Sequence, residues 1–399
     1  MLGQLARVGF IHRHSAELAI GEVIEEYLDN LPDDEAEKAE QRLRSPHAMA
    51  EVFAESVDLV REECLLLEPK KRRSLNRRQP AFFEAMRDKY VGCMVGLAVG
   101  DALGFPVEFW DERTLAAEPV EDFRAFRKFP PGTFSDDTQM SIALAKALLR
   151  AGDRPLEELM QVVAEEFVAW ASSPENNRAP GEACLRGCEK LARGVHWSRS
   201  GCEGSKGCGA GMRSAPVGLY YYGDEERLVE VARAQAICTH RHPTAEAGGL
   251  GTAYAVALAL EGVAPHEFPR RIAEVTAEIS AEFADCIMRA EAVVDKPQRQ
   301  AFRAISGGER IGWVAEEAVA AALWCFLQAP EDFARAVLLA ANSPLDADRD
   351  SIACIAGAIA GAYLGEAAIP EKWRSRVEKA DELVALGERL LAAARARRR

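Results

Sequence analysis

The chain has 399 residues and a mass of 43.6 kDa, and 48% of its residues are hydrophobic and 28% charged, which is typical of a folded globular protein. Lys and Arg number 49 against 63 Asp and Glu, so the formal net charge of −14 argues against nucleic acid and anionic membranes as partners. Aromatic residues make up only 7%, and we expect alanine- and leucine-rich helices to dominate over strands.

The sequence shows neither a membrane span nor an export signal. No run of about twenty consecutive apolar residues is recognised, and the N-terminal segment has no uninterrupted apolar core before a small-residue cleavage site. The ten cysteines are spread along the chain, which suits a reducing compartment better than a disulfide scaffold. We therefore expect a cytoplasmic protein without a membrane partner.

The N-terminal part, residues 1–80, is predicted to be an acidic helical extension. Amphipathic patterns predict helices over residues 15–30 and 48–66. Ten Asp and Glu residues and a single Lys lie between positions 17 and 40. A basic run without apolar periodicity follows at residues 70–78, and such a run is typical of a linker. A domain boundary is therefore predicted near residue 80.

From residue 81 the pattern becomes a series of helices, with no convincing strand alternation. Two helices carry glycines four residues apart, and mid-helix glycine costs up to about 1 kcal/mol relative to alanine. Three such glycines on one face of each helix therefore predict that the backbones of the two helices approach each other closely. A further helix is predicted over Val314–Gln328, and a charged helix with a basic tail over residues 371–399. The glycines are Gly92, Gly96 and Gly100 on the first helix and Gly357, Gly361 and Gly365 on the second.

Two acidic clusters are candidates for chemistry. Each stands at a predicted helix start, where acids and serine are also ordinary caps. Two such starts beside closely packed helices would gather several carboxylates, which repel unless a cation or a shared proton intervenes. Oxygen donors without histidine favour Mg²⁺, Mn²⁺ or Ca²⁺ over zinc, and thus a hydrolase with two ions. The residues are Ser135, Asp136, Asp137, Asp348, Asp350 and Ser351.

Three segments in fixed order carry a family resemblance. They are GLAVGDALGFPVEF from Gly96, GTFSDDT from Gly132 and DRDSIACIAGAIAGAY from Asp348. Together they resemble the ADP-ribosylglycohydrolase family. The resemblance implies an all-α, orthogonal multi-helix domain over residues 81–370, with the N-terminal helical extension before it and a C-terminal helix and basic tail after it. It also implies a binuclear Mg²⁺ centre, with Mn²⁺ as the alternative, and cleavage of ADP-ribose linkages.

The resemblance also assigns roles to single residues. The six residues of the acidic clusters match the metal motifs, although Asp346, Ala347 and Arg349 depart from the usual pattern around the second. Asp136, Asp137 or Glu108 is the implied proton acceptor, and Glu108 matches a mobile glutamate near the scissile bond. His240 is implied to contact the nucleotide, with helix capping as its alternative role. The remaining implied substrate-binding residues are Asp101, Gly207, Gly209, Gly211, Met212 and Arg213.

The predicted function is metal-dependent removal of ADP-ribose from a modified protein, with the arginine linkage favoured. The substrate could also be a small molecule that contains ADP-ribose. A second hypothesis is an immunity protein that binds and blocks an ADP-ribosyltransferase toxin through residues 1–80, as some relatives with N-terminal extensions do. An acidic arm would complement the cationic NAD⁺ pocket of a transferase.

Overall fold

The computed structural model describes the backbone of residues 69–397 and the side chains of residues 84–397. The chain divides into two compact units, Met1–Phe83 and Glu84–Arg399. The two helices predicted before residue 67, and with them most of the predicted N-terminal extension, lie outside the described residues. The domain boundaries drawn from the sequence stay predictions.

The described residues form a helical assembly, which confirms the all-α fold. Long alanine- and leucine-rich segments favour this architecture because these residues lose little conformational freedom in a helix. The α-helices are α1 Pro69–Gly104, α2 Glu112–Ala117, α3 Asp136–Ala151, α4 Leu156–Ala171, α5 Glu182–Ala192, α6 Trp197–Ser200, α7 Ala215–Tyr220, α8 Glu225–Ile237, α9 Pro243–Glu261, α10 Phe268–Thr276, α11 Ala281–Ala292, α12 Gln298–Ser306, α13 Ala315–Gln328, α14 Phe333–Ala341, α15 Arg349–Leu364, α16 Glu371–Arg374 and α17 Ala380–Arg397.

The strands of the described residues are short and join loops that are distant in sequence. Strand β1, Cys202–Glu203, pairs in parallel with β2, His240–Arg241. Strand β3, Arg310–Ile311, pairs in parallel with β4, Asp346–Ala347. Each strand has two residues, too few for the alternation that reveals a strand in a sequence.

Helices α1 and α15 cross in close contact, as their glycines predict. A Cβ atom on Gly92 would collide with the carbonyl oxygen of Gly361, and one on Gly96 with that of Gly357. Gly365 has a different role, because its φ of 89° ends α15. The close approach of two helix backbones is therefore confirmed for the pairs in the middle of the crossing.

Two expectations differ from the structure. By length and composition, the segment Glu84–Val107 could cross a membrane, contrary to the expectation that none exists, but it is a core helix whose apolar window is fully buried. The predicted C-terminal helix is two helices, α16 and α17, separated near Lys379, which has a φ of 55°. The helix predicted over Val314–Gln328 is confirmed as α13.

Candidate functional site

The first acidic cluster lies at the start of α3, which a carboxylate from α1 holds in place. Ser135 is the N-cap residue, and its hydroxyl accepts a hydrogen bond from the amide of Asp137 at 3.3 Å. Asp101 accepts hydrogen bonds from the Ser135 amide at 2.8 Å and from the Thr138 amide and hydroxyl at 2.9 and 2.6 Å. Free amides at a helix start need such acceptors. Asp101 thus fixes the direction in which α3 begins.

Asp136 and Asp137 occupy the first turn of α3 and are both buried. One oxygen of Asp136 accepts a hydrogen bond from the Gly181 amide at 3.2 Å. Oδ2 of Asp137 is buried and has no hydrogen-bond partner among the described residues. Buried carboxylate oxygens are normally paired, so an orphaned one indicates a missing positive partner.

The second acidic cluster lies at the start of α15. Asp348 is the N-cap residue, and its Oδ1 accepts a hydrogen bond from the Ser351 amide at 3.4 Å. The pairing of β3 with β4 brings this loop beside residue 311, where the Asp348 amide donates to the Ile311 carbonyl at 3.0 Å. Asp350 and Ser351 follow in the first helical turn and are buried.

Glu108 reaches the same place from the end of α1 and is held there through its backbone. The fully buried guanidinium of Arg349 donates to the carbonyls of Val107, Glu108 and Trp110 at 3.0, 3.1 and 2.8 Å. The same group donates to the carbonyls of Ser343 and Leu345. Arg349 therefore ties the loop before α15 to the segment that carries Glu108.

The residues of the two clusters other than Ser135 line one cavity of about 320 Å³ together with Glu108. Carboxylate oxygens of Glu108, Asp348 and Asp350 lie within 4.8 Å of one another, close enough to share a metal ion. Asp136 and Asp137 line the same cavity. The structure thus brings together five acidic residues that the sequence separates by up to 242 positions (350 − 108).

Burial raises the pKa of every one of these carboxyl groups, and repulsion by neighbouring carboxylates adds to the rise for all of them except Asp348. Burial, with the charges of Asp348 and Asp136, raises the pKa of Glu108 to about 10. Burial, with Asp101 and Asp348, raises the pKa of Asp136 to about 8. The pKa values of Asp137 and Asp350 are also raised well above the ordinary value, chiefly by burial. Without a cation, several of these groups hold protons at neutral pH.

The donor set fits a hard divalent cation. Besides Oδ2 of Asp137, Oε2 of Glu108 is buried and finds no hydrogen-bond partner in the part of the chain that the structure describes. The set consists of carboxylate and hydroxyl oxygens, which Mg²⁺ and Mn²⁺ prefer. Glu108, Asp348 and Asp350 lie close enough together to share such an ion, and Asp136, Asp137 and Ser351 line the same cavity. The number and identity of the ions stay predictions.

The glycine-rich loop forms one wall of the cavity. Gly207, Gly209 and Met212 line it, whereas Gly211 does not. A Cβ on Gly209 would stand 2.7 Å from Sγ of Cys184 and 2.8 Å from Cε1 of His240, so only glycine fits. Backbone amides of such a loop can approach an anion without steric hindrance.

Besides Gly211, three predicted site residues do not line the cavity. Asp101, buried on α1, and Ser135, buried before α3, order the backbone at the start of α3. Arg213 is fully buried and bonds to Gln235 and Thr239 at 2.8 Å, with its guanidinium carbon 4.6 Å from the centre of the Phe167 ring. Because its donors are used in the interior, Arg213 supports the loop and faces no substrate.

His240 lines the cavity and is held as a neutral ring. Its Nδ1 lies 2.8 Å from the Thr239 hydroxyl. Burial, together with the charge of Arg213, lowers the pKa of His240 to about 3. Near pH 7 the ring therefore offers a neutral hydrogen-bonding face beside Gly207 and Gly209. The alternative role, helix capping, falls instead to His242, which caps α9.

Several residues that line the cavity were not predicted. The thiol of Cys208 donates to Oδ2 of Asp348 at 3.0 Å and lies 3.5 Å from the Ser351 hydroxyl. Phe109 and Trp313 form part of the rim, and Gly181 approaches Asp136. Cys208 stands between two predicted glycines and Phe109 follows Glu108, so position in the motifs was the available signal. Nothing in the local sequence marks Trp313.

Comparison with known proteins assigns the domain to a family. The family model described as ADP-ribosylglycohydrolase matches residues 84–399. The ADP-ribosylarginine hydrolase Tri1 of Serratia proteamaculans is 27% identical over 76% of this chain and 79% of its own. The ADP-ribosyl-[dinitrogen reductase] glycohydrolase of Rhodospirillum rubrum is 33% identical over 42% of this chain and 56% of its own. A solved structure described as an ADP-ribosylglycohydrolase-related protein complex superposes with a TM-score of 0.65 at 27% identity, over 78% of this chain and 99% of that one. None of these comparisons supports the toxin-blocking hypothesis.

Proposed function

The chain belongs to the ADP-ribosylglycohydrolase family and is a hydrolase of that family, and on this premise we propose that it removes ADP-ribose from arginine side chains of modified proteins in a metal-dependent reaction. The observation that carries the proposal is the gathering of five buried acidic residues in one cavity, two of them with unpaired oxygens. The arginine linkage rests on the relative from Serratia proteamaculans, whose name specifies ADP-ribosylarginine.

Asp136, Asp137, Asp348 and Asp350 would hold divalent ions, and Mg²⁺ is the ion we propose. When bound, such ions supply positive charge that orients the distal ribose and stabilises developing negative charge. We assign the diphosphate to the backbone of Gly207 and Gly209, and the position of both residues in the cavity lining, where neither has a side chain, supports this assignment. Neutral His240 faces the same stretch of the cavity.

Glu108 is the residue to which we assign proton transfer. Cleavage breaks the bond between C1″ of the distal ribose and the arginine nitrogen through an oxocarbenium-like state. The leaving nitrogen requires a proton, and the attacking water loses one. With divalent ions bound nearby, Glu108 would be a carboxylate, which would take the proton from the attacking water and pass it to the leaving nitrogen. Its backbone, fixed by Arg349, keeps the carboxyl beside Asp348 and Asp350.

A double substitution tests the proposal. Asp136→Asn with Asp137→Asn keeps the size of both side chains but removes two of the charges that a cation requires. We expect release of ADP-ribose from an arginine-ADP-ribosylated protein to be lost, while the fold persists because uncharged amides relieve the repulsion. The measurement is release of free ADP-ribose with Mg²⁺ and with EDTA.

The matched control is Asp285→Asn with Asp295→Asn, since both residues are exposed. This variant should keep full turnover. Metal-independent release by the wild-type protein, or undiminished release by the Asp136–Asp137 variant, would overturn the metal assignment. Release from serine-linked but not arginine-linked substrate would overturn the linkage alone.

A further inference from the structure

Two aromatic rings stand together at the rim of the cavity. Phe109 is 61% exposed, the most exposed large hydrophobic side chain among the described residues. Its ring is stacked with that of Trp313, with centroids 6.3 Å apart and planes inclined by 28°. Both line the cavity. A ring left in water at a binding cavity forgoes the free energy of burial, which indicates that a ligand covers it.

The pair is fixed relative to the acidic residues. Phe109 lies between Glu108 and Trp110, whose carbonyls both accept hydrogen bonds from Arg349. The indole nitrogen of Trp313 donates to the Asp346 carbonyl at 3.1 Å, two residues before Asp348. These hydrogen bonds hold both rings in place relative to the acidic residues, so the aromatic pair and the carboxylates form one prearranged surface.

The ring of Trp313 already contacts a guanidinium group in this structure. The guanidinium carbon of Arg310 lies 5.4 Å from the centre of the Trp313 ring. The same group pairs with Oδ2 of Asp346 at 2.8 Å. An arginine held by an aromatic face on one side and a carboxylate on the other is a stable combination, since the planar guanidinium stacks well and is weakly hydrated.

We propose that Phe109 and Trp313 form the subsite for the arginine side chain that carries the ADP-ribose. The inference rests on the proposed function and names its leaving-group site. Phe109 directly follows Glu108, whose carboxyl lies within 4.8 Å of those of Asp348 and Asp350, at the end of the cavity assigned to the distal ribose. Adenine is separated from that ribose by a diphosphate and a second ribose. A ring beside these carboxylates therefore meets the leaving group, with its apolar stem and planar cation.

The test compares Phe109→Ala and Trp313→Ala with the wild-type protein. We expect KM for an arginine-ADP-ribosylated protein to rise roughly 5- to 20-fold in each variant, the effect of losing a partly desolvated cation–π contact. The dissociation constant of free ADP-ribose, measured by calorimetry, should change less than twofold, because ADP-ribose lacks the arginine. Phe109→Tyr, which keeps an aromatic ring, should preserve KM. Val195→Ala removes another exposed apolar side chain, one that does not line the cavity, and serves as the control.

Each outcome decides the question. An unchanged KM in both alanine variants of an active enzyme would overturn the subsite and leave the proposed function intact. An equal loss of affinity for free ADP-ribose would also overturn it, since the rings would then contact ADP-ribose itself. A wild-type protein that binds ADP-ribose but releases none from arginine would refute the proposed linkage, and the subsite with it.

Discussion

Each buried carboxylate of the site would lower the stability of the fold if neither a cation nor a proton neutralised its charge. Five carboxyl groups share a buried cavity, and those of Glu108, Asp348 and Asp350 lie within 4.8 Å of one another. Their raised pKa values are the consequence, because protonation is the way a metal-free site relieves repulsion. Binding a cation would reverse that preference and release the protons.

We therefore predict that the stability of the metal-free protein falls as pH rises. The carboxyls ionise near pH 4 in the unfolded chain, whereas the pKa values of Asp136 and Glu108 in the folded chain are about 8 and 10. In that interval the folded state holds more protons, so a rise in pH favours unfolding. Melting in EDTA should show a Tm that declines from pH 6 to 9, and Mg²⁺ should flatten the decline.

The variant with Asp136→Asn and Asp137→Asn provides the comparison, because it cannot ionise at those two positions. Its Tm in EDTA should depend on pH less steeply than that of the wild-type protein. Identical slopes for the two proteins would show that the site does not govern the pH dependence.

Arg349 is a residue whose role the sequence did not reveal. Its five hydrogen bonds go to backbone carbonyls, three of which belong to Val107, Glu108 and Trp110, about 240 positions earlier. In the sequence it stands out only as a departure from the family motif. In the structure Arg349 positions the backbone that carries Glu108, and it does not stand in the place of a proposed metal ligand.

We predict that Arg349→Met destabilises the protein by about 3 to 5 kcal/mol, because it leaves several buried carbonyls unpaired. Arg349→Lys should destabilise the protein less, since the lysine ammonium can still donate hydrogen bonds to some of these carbonyls. The checks are urea unfolding and kcat with KM. If Arg349 positions Glu108, kcat should fall in the lysine variant more than the affinity for ADP-ribose. A wild-type kcat in both variants would refute this role.

At the level of helices, the crossing of α1 and α15 places the metal-binding candidates. The contact continues beyond the paired glycines to the site itself, where a Cβ on Gly104 would collide with the backbone of Asp350. Glu108 follows α1, and Asp350 lies in the first turn of α15. The glycines therefore set the distance between the two helix ends that carry these acids.

We predict that Gly96→Ala destabilises the fold by about 2 to 4 kcal/mol, although alanine is the better helix former. The added methyl would meet the Gly357 carbonyl, which belongs to a helix backbone that cannot move alone. Gly308→Ala is the matched control, since a Cβ there has nothing within 4 Å. The measurement is the free energy of unfolding in urea, and equal values for both variants would contradict tight packing.

The glycine-striped helices, the helix over Val314–Gln328 and the starts of α3 and α15 could be predicted from sequence because capping residues, glycine spacing and apolar periodicity are local. The acidic clusters were found in the same way, since each stands at a helix start. The residues that line the cavity were predicted only in part. The contact of Cys208 with Asp348 and the stacking of Phe109 on Trp313 join residues 140 and 204 positions apart, and no local pattern encodes such pairs.

At the scale of the whole molecule, the family match and the larger compact unit both begin at residue 84. The core of that unit draws on helices from α1 to α17. Every residue that lines the candidate site belongs to it. The unit thus holds a complete candidate site.

We predict that a chain beginning at Pro69, the first residue of α1, folds and hydrolyses ADP-ribosylarginine with kcat within about twofold of the full-length value, as expected for an independent domain. Circular dichroism, thermal melting and the release of ADP-ribose measure this. Aggregation or loss of turnover would show that the preceding residues are required for folding. The same pair of proteins tests the toxin hypothesis, which requires that only the full-length chain inhibits a transferase.

The hydrogen bonds of Arg349 also bear on how the cavity opens. Because the carbonyls of Val107, Glu108 and Trp110 are all anchored to the start of α15, the backbone of this segment cannot swing outward as a hinged flap without breaking three bonds at once. Rotation of the Glu108 side chain costs none of them. A movement of Glu108 that keeps these three bonds is therefore limited to exchange between side-chain rotamers, which is intrinsically faster than the collective movement of a loop.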